Sequence, residues 1–336
     1  MKTTELGRTG EHVSRLALGC MQMGTTTDET TSFAMLDRYL DAGGTFLDTA
    51  DCYAWWSTRG SNGGESEELL GRWLTRTGRR EEVFLATKGS GMVHDLDAIW
   101  GDAPEPDWTV ARRNYDGAGA GVLRSALEGS LRRMRTDHVD LYYVHVDDRA
   151  TPLEETLETL HAFVTEGKVR FLGWSNVRTW RLERIRQLAD RHGWTAPVAV
   201  QQQHSYLRRR AGLENGSIVD DEQLDYLRAH DDLTLVAYSP ITKGIYDSAA
   251  RREGHWAMEP YLGPDADARL AAVAEVAAEV GCTPNQAVLA WLLHQTSPRV
   301  VPLMGPRTLE QYQVGMAALD VELSAEALHR LDAAGA

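Results

Sequence analysis

Eight short apolar runs recur along this chain, separated by stretches of helical period, and few folds accommodate that pattern. The runs are residues 16–19, 45–47, 83–87, 139–144, 169–174, 198–201, 233–237 and 300–303. Each is nearly continuous in apolar residues, where a half-exposed strand would alternate. That is the pattern of parallel strands covered on both faces. Capping residues mark several of the intervening helices. Thr151-Pro152-Leu153-Glu154 reads as an N-cap, a first-turn proline and a capping-box glutamate, and Thr283-Pro284-Asn285-Gln286 repeats the arrangement. Leu153, Leu157, Leu160 and Val164 follow one helical face, and Gly167 suits a left-handed exit. Gly281 closes a helix carrying Leu270, Val273, Ala277 and Val280, and Leu123, Leu127, Leu131 and Met134 mark a third.

A strand followed by a helix, eight times over, is the arithmetic of an α/β chain folded as a single-domain (β/α)8 TIM barrel over residues 1–336. An open doubly wound sheet is the rival. Its dinucleotide fingerprint is absent, because Gly19-Cys20-Met21-Gln22-Met23-Gly24 lacks the Gly-x-Gly-x-x-Gly spacing. The irregular stretches 54–64, 89–119, 204–217 and 244–264 would then lie over the C-terminal face of the barrel, where chemistry occurs.

Composition narrows the partners. The net charge of −14 does not suit binding to a phosphate backbone or an anionic membrane. No apolar run approaches the length of a membrane span, and the N-terminus carries polar residues where a signal peptide needs apolar ones. Cys20, Cys52 and Cys282 are too far apart for a metal spacing, and three cysteines in 336 residues fit a reducing cytoplasm. His138, Asp147 and Asp148 beside His145 have no metal-ligand spacing, so no metal is expected. None of the cysteines has a base at readable spacing, and Cys52 reads as packing.

Polar residues at the strand ends are the candidates for chemistry. Asp48 ends the second run, with Asp51 and Tyr53 just beyond, Lys88 ends the third and His145 the fourth. Ser175 and Asn176 end the fifth, Gln201 the sixth and Tyr238 the seventh. Singly, each has an ordinary explanation: a turn cap, a solvated lysine, a core histidine. Ionisable groups after three successive apolar strands are harder to assign to packing, because buried charge is costly unless paired. A tyrosine is a poor acid at neutral pH, and a nearby ammonium lowers its pKa. An aspartate would hold that ammonium, and a histidine could orient a substrate oxygen. Such a group can protonate a carbonyl oxygen as hydride reaches its carbon.

These segments resemble the aldo-keto reductases, in particular their bacterial branch. Phe46-Leu-Asp-Thr-Ala-Asp-Cys-Tyr53, Ala86-Thr-Lys88 and Asp140-Leu-Tyr-Tyr-Val-His145 are similar to the segments of that family's catalytic tetrad. Leu6-Gly-Arg-Thr-Gly10, Val13-Ser-Arg-Leu16, Gly167-Lys-Val-Arg170, Gly173-Trp-Ser-Asn176 and Ala237-Tyr-Ser-Pro240 extend the likeness over residues 4–332. The resemblance implies a TIM barrel and carbonyl reduction by NADPH, with NADH the less expected cofactor. It implies Tyr53 as general acid, tuned by Lys88 and Asp48, and His145 as the residue orienting the carbonyl. It implies cofactor contacts from Met21, Ser175, Asn176, Gln201, Tyr238, Ser239, Lys243, Gly244, Gly305, Arg307 and Gln311.

The chain also departs from the family pattern. Val314 and Gly315 stand where Glu-Asn usually contacts the adenine. Tyr53 is followed by Ala54-Trp55-Trp56 and an insert, and Gln201-Gln202-Gln203-His204-Ser205 replaces the commoner Gln-x-Glu-Tyr-Asn. Trp55, Trp56 and Trp174 are therefore expected to line a pocket for a cyclic or aromatic carbonyl. Two other readings stand beside the reductase. One is a Schiff-base lyase using Lys88. The other is a subunit that holds a nucleotide with little turnover.

Overall fold

The computed structural model describes residues 1–335. Its strands are β1 (Thr3–Glu5), β2 (His12–Ser14), β3 (Ala17–Gly19), β4 (Phe46–Asp48), β5 (Phe84–Gly89), β6 (Val139–Val144), β7 (Val169–Ser175), β8 (Pro197–Gln203), β9 (Thr234–Tyr238) and β10 (Val300–Met304). β3 to β10 pair in sequence and close into a barrel through β10 and β3. Every barrel pairing is parallel. The fold is a single-domain (β/α)8 barrel, and the eight apolar runs are its eight strands. The apolar pattern did not mark the antiparallel hairpin β1–β2. That hairpin and the turn after β1 carry Val13 and Leu6, which pack with barrel-interior residues such as Ala17, Phe46 and Val301.

Alternation along each strand decides which side chains reach the interior. Phe46, Phe84, Ala86, Leu141, Tyr143, Ala199, Val236, Val301 and Leu303 fill it. Their neighbours Leu47, Leu85, Tyr142, Val144, Leu172, Val200, Leu235 and Ala237 belong to the larger core between the strands and the helices. Gly173 is required by this packing. A Cβ there would lie 2.5 Å from the ring of Tyr143, so the glycine makes room for an aromatic inside the barrel.

The helix signals hold in most places. Thr283 and Gln286 form a reciprocal capping box at the start of Pro284–His294. Gly281 closes Ala266–Val280 in the left-handed conformation, and Gly167 has φ +74° after Leu153–Thr165. The box at Thr151 does not form. Pro152 is the N-cap of Leu153–Thr165, with no side-chain cap bond. The Thr151 hydroxyl donates instead to Asp148 Oδ2 at 2.6 Å. That carboxylate is nearer to hand and also accepts from the Ala118 amide.

Candidate active site

The same alternation sends Asp48, Lys88, Tyr143, Ser175 and Gln201 inward at the C-terminal ends of their strands. Asp48 and Lys88 are 1% and 0% exposed, so both charges are buried and must be paired. Lys88 Nζ donates to Asp48 Oδ1 at 2.5 Å, to the Thr49 carbonyl at 2.7 Å and to Tyr53 Oη at 3.0 Å. All three N–H groups of the ammonium are therefore spent. Asp48 Oδ2 accepts from Gln201 Nε2 at 2.7 Å. Desolvation pushes the Asp48 carboxyl above its ordinary pKa, against the pull of Lys88 and of the Gln201 bond.

Tyr53 accepts a hydrogen bond from the ammonium, which leaves its own proton for another acceptor. The ring is 7% exposed and stands edge-on to His145, with centroids 5.6 Å apart. The sequence expectation that Lys88 lowers the Tyr53 pKa is reversed. Burial pushes it well above 10, and Asp48 adds to the shift. The main reason is desolvation of the phenolate, and the Asp48 carboxylate, bonded to the ammonium, adds its own repulsion. Tyr53 is thus held as a protonated donor.

His145 follows β6, and its imidazole is kept neutral. Burial, with the nearby Lys88 charge, lowers its pKa to about 3. Cys52, read from the sequence as packing without a base nearby, lies with Sγ 3.3 Å from His145 Nδ1. The two are 93 residues apart, so no local spacing could signal the contact. Asp51, Cys52 and His145 each bring a potential metal-ligand atom within 4.8 Å of the others.

The residues expected at a cofactor lie around the same mouth. Asn176 bridges the site: its amide donates to the His145 carbonyl at 2.8 Å and accepts from Tyr238 Oη at 2.9 Å. Among the described residues, six non-glycine positions have positive φ, and Ser90, Asn176, Ser239, Thr242 and Lys243 follow β5, β7 and β9. Strain of this kind collects where a loop must present backbone to a ligand. Lys243 is largely desolvated, and both burial and Arg307 lower its pKa. Neither residue forms a salt bridge among the described residues. This pair of cations without a carboxylate partner fits the phosphates of a dinucleotide, and Gly244 beside them has φ +82°. Met21 packs on the Tyr53–Trp55 cluster. Gly305 is exposed next to Arg307. Gln311 is committed locally, because its Oε1 accepts from the Arg307 amide at 2.9 Å. Gly315 is explained by packing, since a Cβ would come within 3.0 Å of Met304 Sδ.

The three tryptophans separate. Trp174 does not line the pocket. It is 1% exposed and sits among the outward-facing residues under the helices, because inward Gly173 and Ser175 flank it on the strand. Trp55 is also 1% exposed and anchors its loop among Val93, Ile99 and Ala111, with its carbonyl accepting from Trp100 Nε1 at 3.1 Å. Trp56 stands edge-on to Tyr53 with centroids 5.5 Å apart. Trp108, which was not singled out in the sequence, is 43% exposed and lies 6.4 Å from Trp56. It comes from the short helix Trp108–Ala111 in the loop after β5.

Comparison with known proteins agrees with this fold. The sequence profile of the Aldo/keto reductase family matches residues 15–336. The chain is 34% identical to an uncharacterised oxidoreductase, YrpG, of Bacillus subtilis, covering 99% of this chain and 95% of that protein. It is 34% identical to norsolorinic acid reductase stcV of Emericella nidulans, over 96% of this chain and 78% of that one. A crystal structure of a thermostable aldo-keto reductase with the inhibitor epalrestat superposes with a TM-score of 0.72, at 26% identity and 99% coverage of both chains. No helix among the described residues is long and apolar enough to cross a membrane. With a matching profile over nearly its whole length, and oxidoreductases among its relatives, the chain belongs to the aldo/keto reductase family of carbonyl-reducing enzymes that generally use NAD(P)H.

Proposed function

We propose that this protein is a cytoplasmic NADPH-dependent reductase of aromatic aldehydes or ketones. The observation that carries the reading is the Asp48–Lys88–Tyr53 hydrogen-bond chain ending in a protonated phenol beside a neutral imidazole. A nicotinamide cofactor, when bound, would supply a hydride to the carbonyl carbon. Tyr53 donates its proton to the carbonyl oxygen, and Lys88 stabilises the phenolate left behind. His145 positions that oxygen. Lys88 is a poor Schiff-base nucleophile in this setting, because all three of its donors are engaged, one of them by the Asp48 carboxylate. The described cysteines are free, as a reducing compartment allows.

Lys243 and Arg307 support NADPH over NADH, since an arginine can pair with the 2′-phosphate through two parallel bonds. In a fluorescence titration, Arg307→Ala is expected to weaken NADPH binding at least tenfold and leave NADH nearly unchanged. Equal loss for both cofactors would refute the assignment.

The aromatic wall of Trp56 and Trp108 supports the substrate class, and one relative, at 27% identity, is named an aryl-alcohol dehydrogenase [NADP(+)] of Phanerodontia chrysosporium. A flat apolar wall favours a ring over a short alkyl chain. We expect wild type to prefer aromatic aldehydes in kcat/KM, and Trp56→Ala to lower that preference about tenfold, near 1.4 kcal/mol. A ratio that stays within twofold in both Trp56→Ala and Trp108→Ala would exclude stacking as its source. A carbonyl panel followed at the NADPH absorbance tests the reductase assignment itself.

A further inference from the structure

The contact between Cys52 and His145 gives a residue outside the expected tetrad a part in the chemistry. We propose that Asp51, Cys52 and His145 form a hydrogen-bond relay in which the Cys52 thiol donates to His145 Nδ1, so that the imidazole carries its proton on Nε2. This rests on the proposed role of His145 in orienting a substrate carbonyl. A neutral imidazole has one N–H, and only a protonated Nε2 can donate to that oxygen. The relay selects this tautomer.

Four observations support it. Cys52 Sγ lies 3.3 Å from Nδ1, within the range of a sulfur hydrogen bond. Cys52 is 1% exposed, and burial pushes its thiol well above its ordinary pKa, so it keeps a proton to give. Gly91 seals the same side of the ring: a Cβ there would sit 2.7 Å from Nδ1 and 3.3 Å from Sγ. Neither a side chain at that position nor a water fits between the two groups. Behind the thiol stands Asp51, 4% exposed, whose Oδ1 has no hydrogen-bond partner among the described residues. An orphaned buried oxygen suits a carboxyl that holds a proton.

The charges around Asp51 agree. Glu67 on the helix Glu65–Thr77 and Asp116 in the loop after β5 repel its negative form, while Arg133 on Ala120–Met134, from its ion pair with Glu67, and a hydrogen bond with Cys52 oppose them. Burial is the largest influence, and the carboxyl is raised from 3.8 to about 8. At neutral pH, Asp51 is then a donor to Cys52, Cys52 a donor to His145, and His145 a donor to the substrate. On the alkaline side of about 8 the direction reverses. The Asp51 carboxylate accepts the thiol proton, sulfur accepts from Nδ1, and Nε2 becomes a lone pair that cannot hold a carbonyl oxygen. Burial, with the Lys88 charge acting on the imidazole, disfavours the alternative of a doubly protonated ring.

The experiment is nitrogen NMR of the full-length protein labelled at histidine, read alongside kinetics. At neutral pH, His145 Nδ1 is expected to show the shift of an unprotonated ring nitrogen, and to move towards the protonated value above pH about 8. Asp51→Asn, whose amide donates at every pH, removes that dependence. Cys52→Ala should lower kcat about tenfold with the KM for NADPH unchanged, and Cys52→Ser, which keeps a donor, should recover most of the loss. A protonated Nδ1 at neutral pH overturns the relay, as does a Cys52→Ala variant with wild-type kcat and unaltered shifts. If wild type reduces no carbonyl while Nδ1 behaves as described, the reductase reading fails and the relay stands.

Discussion

Tyr53→Phe should lose carbonyl reduction by about 10²- to 10⁴-fold while binding NADPH almost as wild type does. The substitution removes one oxygen from a ring that is 7% exposed and leaves the rest of the packing in place. That oxygen accepts from Lys88 Nζ at 3.0 Å, and its own proton has no acceptor among the described residues. The expected cofactor contacts at Ser175, Asn176, Tyr238, Lys243 and Arg307 are on other strands and loops, so the dissociation constant for NADPH should move little. Stability should also change little, because the ammonium retains two of its three acceptors. Turnover in the Phe variant within a few-fold of wild type would remove Tyr53 from the mechanism. A parallel collapse of cofactor affinity would show instead that the site had been disrupted.

Lys88→Met should cost both activity and fold stability. It strands Asp48, a carboxylate 1% exposed at the end of β4, without its cation. Breaking a buried ion pair in this way typically costs about 3–5 kcal/mol, because the partner is left charged and unsolvated. The pH dependence follows from the sign of the Asp48 shift. Its folded pKa lies above 3.8 even with Lys88 present, and rises further without it. The unfolded chain therefore loses the Asp48 proton more readily than the folded variant does. The penalty is absent below the unfolded pKa and grows as pH rises through the folded value. Urea midpoints should thus converge with wild type in acid and diverge towards neutrality. Lys88→Met combined with Asp48→Asn should recover most of the lost stability and none of the activity, since the amide keeps the Gln201 contact without a charge. Identical stability of the single and double variants would contradict the pairing argument.

The barrel and the segments proposed to carry the tetrad were legible because both are local in the chain. Each strand is a run of apolar residues, and Asp48, Lys88 and His145 end or follow such runs. The hairpin β1–β2 was missed because three-residue strands of mixed polarity carry no periodic signal. Trp174 was assigned to the pocket from its place near a strand end, which says nothing about the face it occupies. A shift of one residue along a strand exchanges interior for exterior. Ser175 is inward and Trp174 outward for that reason alone. Trp108 was overlooked because nothing around it in the sequence ties it to Tyr53. Only the folding of the loop after β5 over the mouth brings it near Trp56.

Hydrophobic periodicity and residue type at the strand ends were thus enough to determine the architecture and to nominate the ionisable groups. Protonation states were decided by the tertiary structure. The Tyr53 pKa rises where the local sequence suggested a fall, because burial disfavours the phenolate and the Asp48 carboxylate, bonded to Lys88, repels it further. Cys52 became a partner of His145 across 93 positions of chain. Electrostatic energy depends on distance, desolvation and the sum of all neighbouring charges. Those quantities exist only once the eight strands have closed and brought distant residues into one dry volume.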